Sequence, residues 1–358
     1  MCAATNNISL SNPLGTDGFE FVEFSAPDPV DLEALFIRLG FSLVALHRSK
    51  KVRLWRQGEI NFIVNAEENS QAAEFARLHG PCVNAMALRV ADAALALKTA
   101  CAKGARQVSS NIGVMELNIP AIEGIGGSLL YLVDRYGTRD IYSVDFNYLP
   151  GVEMRPQGAG LTHIDHLTHN VEKGRMDVWA KFYEDIFNFR EIRYFDIEGR
   201  HTGLHSRALC SPCGKIRIPI NESADDKSQI AEYLRDYKGE GIQHIALATG
   251  NIVQSVEKLA DDGINFLEAP PATYYQQLDG RLPEHGQDIS VLQKHGILMD
   301  GSSGGKILLQ IFTRTVIGPI FFELIERHGD EGFGEGNFKA LFEAMEQDQI
   351  RRGTLAAE

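Results

Sequence analysis

Apolar residues recur at two periods along this chain, and the change of period marks its elements. GFEFVEF (18–24) is a strand-length apolar run, and DPVDLEALFIRLG (28–40) places its apolar residues three and four apart before ending at Gly40. FSLVALHR (41–48), VRLWRQG (52–58) and EINFIVN (59–65) then read as a meander of three strands. The second half repeats the start of this order, with the strand IDHLTHNV (164–171) followed by the helix MDVWAKFYEDIFN (176–188). The rhythm is βαβββ.

Four further parallels keep the same order in both halves. Residues 69–75 with HGPCVNAMALRV (79–90) match residues 227–233 with GEGIQHIALAT (239–249). ADAALALKTACAKGARQV (91–108) and GNIVQSVEKLADDGINFL (250–267) each read as an amphipathic helix, a glycine stop and a strand. GGSLLYLVDRYG (126–137) parallels GPIFFELIERHG (318–329), and GFEFVEFSAPD (18–28) sits where THIDHLTHNVE (162–172) sits. Ordered self-similarity of this kind predicts two homologous domains, each of paired βαβββ modules, in an α+β fold. The boundary falls in LPGVEMRPQGAG, giving domains of 1–154 and 155–358.

The repeat singles out a trio. His166, His244 and Glu323 each sit among apolar neighbours in a strand, and the first half has Phe21, Ala85 and Tyr131 opposite them. Three possible ligands are replaced together by non-ligands. Two imidazoles and one carboxylate on one face of a metal leave the other face open, as non-haem Fe(II) oxygenases require. Alternation along 163–169 puts His166 with Ile164 and Thr168, and turns His163 and His169 to the opposite face. Asp165 is off the His166 face and reads as a supporting group. His201 and His205 lie in a polar segment and are weaker candidates. His47, His79, His285, His295 and His328 read as surface or helix-end residues.

Composition narrows the partners. A net charge of −13 argues against nucleic acid or an anionic membrane surface. No apolar run reaches the roughly 18 residues of a membrane span. The opening MCAATNNISLSNPLG has neither a basic nor an apolar leader region, so no signal peptide is expected. Five scattered cysteines fit a reducing cytoplasm, and the single CxxC, Cys210 and Cys213, reads as a polar turn rather than a zinc site.

Face logic extends outward from the trio. Phe321 shares a face with Glu323, and Phe312 shares one with Gln310, which would set an amide and two rings near the metal, although from the residues alone core packing is the better reading of the rings. Asn221 ends a strand and either points inward or caps a turn. Near the C-terminus, Gly329, Gly332, Gly334 and Gly336 precede an amphipathic helix with Phe338, Leu341, Phe342 and Met345 on its apolar side. This helix, 338–352, is either a hinged lid or a docked terminal helix.

IDHLTHNV, GIQHIAL, LLQIF, FFELIERHG and GFGEGNFKALFE, together with EFVEF, HRSK, RQGEINFI and the stretch Pro270 to Gly286, resemble the 4-hydroxyphenylpyruvate dioxygenase family over nearly the whole chain. The resemblance implies a vicinal-oxygen-chelate, glyoxalase-like fold with a C-terminal lid helix. It implies one Fe(2+) per chain on His166, His244 and Glu323. Substrate-pocket positions fall on Ser206, Asn221, Gln229, Gln243, Gln310, Phe312, Phe321, Phe333 and Phe338, with Gln310, Asn337 and Phe338 expected to take part in catalysis. The implied partners are 4-hydroxyphenylpyruvate and O2, and the implied assembly is a homo-oligomer, a tetramer or dimer. The implied reaction is oxidative decarboxylation, ring hydroxylation and side-chain migration to homogentisate. Two alternatives are hydroxymandelate synthase and an extradiol catechol dioxygenase.

Overall fold

The computed structural model describes residues 8–109, 113, 115–198, 202–302 and 304–355. Two mixed sheets dominate it, of nine and eight strands. In the second sheet the strand Leu161–Val171 is followed by the helix Met176–Phe187 and the strands Arg190–Glu198, Gly203–Cys210 and Arg217–Ser223. The last of these returns parallel to the first. A second unit runs from Gly241–Thr249 through the helix Ile252–Asp261 to Leu298–Ser302, Lys306–Phe312 and Phe321–His328, and closes in the same way. The two units join through antiparallel pairing of their first strands. The first half repeats this plan, with Phe19–Ser25 parallel to Ile60–Asn65, Cys82–Arg89 parallel to Leu129–Val133, and the two leading strands antiparallel. The α+β architecture of paired βαβββ modules is the one the repeat predicts.

Local chemistry explains the shared elements. Ser70 and Ser228 occupy matching positions, and each side chain accepts the N–H three residues on to start a helix. Asp92 and Asn251 do the same for the next helix of each half. Each of those helices stops before a left-handed glycine, Gly104 and Gly263. The strands expected after them shrink to Gln107–Val108 in one half and a single bridge at Phe266 in the other. In the second half the chain then enters Pro270-Pro271, which lack the N–H a ladder needs.

The helix-side apolar core is continuous between the halves, with the ring of Phe62 6.0 Å from that of Phe322. Gly126 of the first half lies against the second, where a Cβ would come within 2.0 Å of the Glu240 carbonyl oxygen. His79, expected at the surface or a helix end, ends a helix but is buried, with Nδ1 2.6 Å from the Tyr237 carbonyl. The inner face of each sheet is separate. In the first half it packs Phe21, Val44, Leu54, Ile63 and Ile141 together. In the second it faces a cavity that the terminal helix Phe338–Arg352 covers. Thr202 donates through its N–H and hydroxyl to Glu346, and Arg352 pairs with Glu232, which fastens that helix over the cavity mouth.

Candidate metal centre

Three neighbouring strands bring His166, His244 and Glu323 together. His166 and Glu323 both pair with Ala246 across the sheet, and His244 stands two residues before it. Nε2 of His166 lies 3.2 Å from Oε2 of Glu323, and Nε2 of His244 lies 3.4 Å from the same oxygen. All three are buried, and their ligand atoms fall within 4.8 Å of one another. Among the described residues this is the one group of three or more such side chains close enough to hold a metal ion.

The outer nitrogens are also engaged. Nδ1 of His166 is 2.9 Å from Asp165, whose carboxylate takes two hydrogen bonds of 2.8 Å from Arg327. Nδ1 of His244 is 2.9 Å from Oε1 of Gln243. Partners of this kind fix a ligand's ring orientation and direct its other nitrogen inward. A β-bulge between Ile164 and His166 makes the first pairing possible. It breaks the expected alternation, sends Ile164 into the helix-side core, and leaves Asp165 beside the ring it supports. His169 points away from the trio, as alternation predicts, and its Nε2 lies 2.7 Å from the Tyr183 hydroxyl.

Charge at the trio is unevenly shared. Burial opposes a proton on either imidazole, but Glu323 and Asp165 outweigh it at His166, whose pKa is raised. Burial prevails at His244, whose pKa is lowered. Burial also opposes the Glu323 carboxylate, yet the two imidazoles outweigh it and hold its pKa at about 2. The centre keeps an anion in a dry setting, where a divalent cation would be strongly favoured. Nitrogen and oxygen donors in this number suit a first-row divalent metal with open positions.

A cavity opens beside the trio. Ser206, Asn221, Gln229, Gln243, Gln310, Phe312, Phe333 and Phe338 line it, as do Leu341, Phe342 and Met345 from the terminal helix. Ser206 and Asn221 are cross-strand partners, and Gln243 donates to Gln229. Phe321, expected in the pocket, and Asn337, expected to take part in catalysis, stand outside its lining. Phe321 is a register partner of His244 and lies flat against that imidazole at 4.7 Å, so it backs a ligand instead of forming the wall. Asn337 is buried behind Gln310 and donates to its Oε1 at 2.9 Å. Thr168, placed on the His166 face by alternation, also lines the cavity, and sequence reasoning missed Phe195, Ile197, Leu204 and Pro219, which do so too. Phe195 pairs with Ser206 and Ile197 with Leu204, so alternation outward from Ser206 was the available signal. His205 faces Asp196 at 3.1 Å, and His201 lies outside the described residues.

Comparison with known proteins agrees with this geometry. Residues 10–147 match the family model for the N-terminal part of hydroxyphenylpyruvate dioxygenase, and residues 163–288 match the glyoxalase, bleomycin resistance protein and dioxygenase superfamily. A 4-hydroxyphenylpyruvate dioxygenase of Pseudomonas aeruginosa is 58% identical over 98% of this chain and 99% of its own length. The chain belongs to the 4-hydroxyphenylpyruvate dioxygenase family. A Vibrio vulnificus relative named hemolysin VllY is 61% identical over 96% of this chain and 98% of its own length. A solved variant of 4-hydroxymandelate synthase from Streptomyces coelicolor superposes with a TM-score of 0.82 at 26% identity, over 93% of this chain and 99% of that one. As a member of this family the chain is a dioxygenase, and no helix among the described residues is long and apolar enough to cross a membrane.

Proposed function

We propose that this enzyme converts 4-hydroxyphenylpyruvate and O2 to homogentisate and CO2 at one iron(II) held by His166, His244 and Glu323. The carrying observation is the convergence of two imidazole Nε2 atoms and one carboxylate oxygen on a buried point at the head of an aromatic-lined cavity. Iron(II) bound there supplies the chelation of an α-keto acid and the activation of O2. The chain supplies orientation and exclusion of water. Phe312, Phe333 and Phe338 offer ring surfaces to an aromatic substrate, while Ser206, Asn221, Gln229, Gln243 and Gln310 offer neutral hydrogen-bonding groups that add no charge. The terminal helix closes the mouth with Leu341, Phe342 and Met345 inward.

We also divide the chain at 154/155, place the enzyme in the cytoplasm, and expect subunits to meet through the first domain. Anaerobic loading with Fe(II), followed by 4-hydroxyphenylpyruvate and air, tests the reaction. Homogentisate and CO2 in equal amounts are expected. Hydroxymandelate instead would assign the chain to the chemistry named for its structural neighbour, and a ring-cleaved product to an extradiol enzyme.

A further inference from the structure

The stretch from Pro270 to Gly286 leaves the sheet between two of its strands and carries the short helices Ala272–Gln276 and Leu278–Arg281. Neither a pocket wall nor a ligand comes from it, yet two of its side chains reach the base of the terminal helix. The Tyr274 hydroxyl lies 2.6 Å from Oδ1 of Asn337 and accepts the Met299 N–H at 2.9 Å. Arg281 faces the same Oδ1 at 3.4 Å, donates to the carbonyls of Met299 and Gly336, and covers the Tyr274 ring at 5.3 Å.

Two donors thus converge on the oxygen side of one buried amide. Its nitrogen is turned the other way and donates to Oε1 of Gln310 at 2.9 Å. With that oxygen occupied, Gln310 presents Nε2 to Oε1 of Glu323, also at 2.9 Å. Each donor in this chain points toward the carboxylate. Turning Gln310 over would set oxygen against oxygen at Glu323 and nitrogen against nitrogen at Asn337, and turning Asn337 over would set its oxygen against Oε1 of Gln310 and its NH2 against the Arg281 guanidinium. Gly334 leaves room for the arrangement, since a Cβ there would come within 1.8 Å of Oε1 of Gln310.

We infer that Tyr274 and Arg281 are positioning residues: they fix the direction of the Asn337–Gln310 amide chain, which engages Oε1 of Glu323 and leaves Oε2 to face the two imidazoles. A carboxylate held by one oxygen offers a metal the other alone, and the open face stays wide. Burial raises the Tyr274 pKa, which keeps the phenol an O–H donor. The inference rests on Glu323 being a metal ligand and is independent of the product formed.

The test is calorimetric titration of the metal-stripped full-length protein with Co²⁺, on Tyr274→Phe, Gln310→Leu and the double variant, with thermal unfolding as the folding control. Gln310→Leu removes a ligand's direct partner and should weaken Co²⁺ binding by about 10- to 100-fold, while Tyr274→Phe, further along the chain, should cost about two- to tenfold. In the Gln310→Leu background Tyr274→Phe should cost nothing more, because the path is already cut. Equal losses in both backgrounds, or an unchanged affinity in the single variant, overturns the inference. Should Tyr274→Phe fail to fold, Arg281→Met at the more exposed partner carries the same cycle. Glu323→Ala that leaves Co²⁺ binding intact would sink the metal reading itself. Absence of homogentisate from the iron-loaded parent would sink only the proposed reaction.

Discussion

The two halves of the molecule place different side chains on the same backbone. In the first, Phe21 and Tyr131 both pair with Ala87, and their rings lie 5.6 Å apart. In the second, His166 and Glu323 pair with Ala246 in the same register. Ala85 stands where His244 stands. One set of positions fills its sheet with a phenyl ring, a methyl group and a phenol. The other opens a cavity and must satisfy every polar group it buries, which it does through Asp165, Gln243 and Gln310. A metal-type centre therefore needs more than its three ligands: each buried ligand also needs a polar partner of its own.

The comparison breaks most sharply if the second half loses its donors. His166→Ala, His244→Ala and Glu323→Ala should each abolish turnover and release iron on dialysis, with the fold retained because all three face a cavity. His163→Ala should keep its iron: the bulge returns that side chain to the His166 side of the sheet, against the expected alternation, but it is exposed and stands outside the trio. Iron content by elemental analysis decides this, and loss of iron from His163→Ala with retention in His166→Ala would reverse the assignment. The same measurement on the parent chain should give one iron, because Phe21, Ala85 and Tyr131 offer no ligand. A reproducible value of two would remove the contrast between the halves.

A smaller effect is expected where the second half is sealed. Phe338 stands at the start of the terminal helix, edge-on to Phe195 with ring centres 4.7 Å apart, and is only half-buried. Phe338→Ala should weaken substrate binding by about tenfold, or 1.4 kcal/mol. It should also raise the fraction of O2 consumed without homogentisate, as water reaches the reacting atoms. Oxygen uptake and homogentisate yield, measured together, test it. Full coupling with unchanged affinity would make the helix packing alone.

Much of this was legible in the sequence because it is written twice. The βαβββ order and the joint replacement of three possible ligands both follow from comparing one half with the other. What was not legible occurs once. The bulge at Ile164 depends on how Leu161–Val171 registers against Gly241–Thr249, and period-two alternation put Ile164 on the wrong face. Phe321 was assigned to the right face but to the cavity wall, because sequence spacing does not tell a wall residue from one flat against its strand neighbour. Asn337 lies behind Gln310 for a tertiary reason too: Tyr274, 63 residues away, holds it there.

The least conspicuous contrast lies one step along the strand. Thr168 in the second half pairs with His244, and its hydroxyl is 2.9 Å from that ring. The matching position in the first half, paired with Ala85, is Glu23. It is a buried carboxylate with no imidazole beside it, accepting from Asn84 at 2.6 Å and Asn65 at 3.1 Å through one oxygen. Burial raises its pKa, against the two amides and the charge of Lys50. The folded state therefore binds this proton more tightly than the unfolded chain, whose glutamates titrate near about 4.3. Stability from this group is greatest below that pH and is lost as pH rises through the folded-state pKa. Glu23→Gln keeps an acceptor oxygen for both asparagines and removes the charge. Its melting temperature should exceed the parent's by a few degrees at neutral pH, with the gap shrinking as pH falls toward 4. Thermal unfolding at several pH values measures it. A gap that stays constant or widens on acidification would mean that Lys50 and the amides already compensate the buried charge, and that the first half tolerates a carboxylate as well as the second.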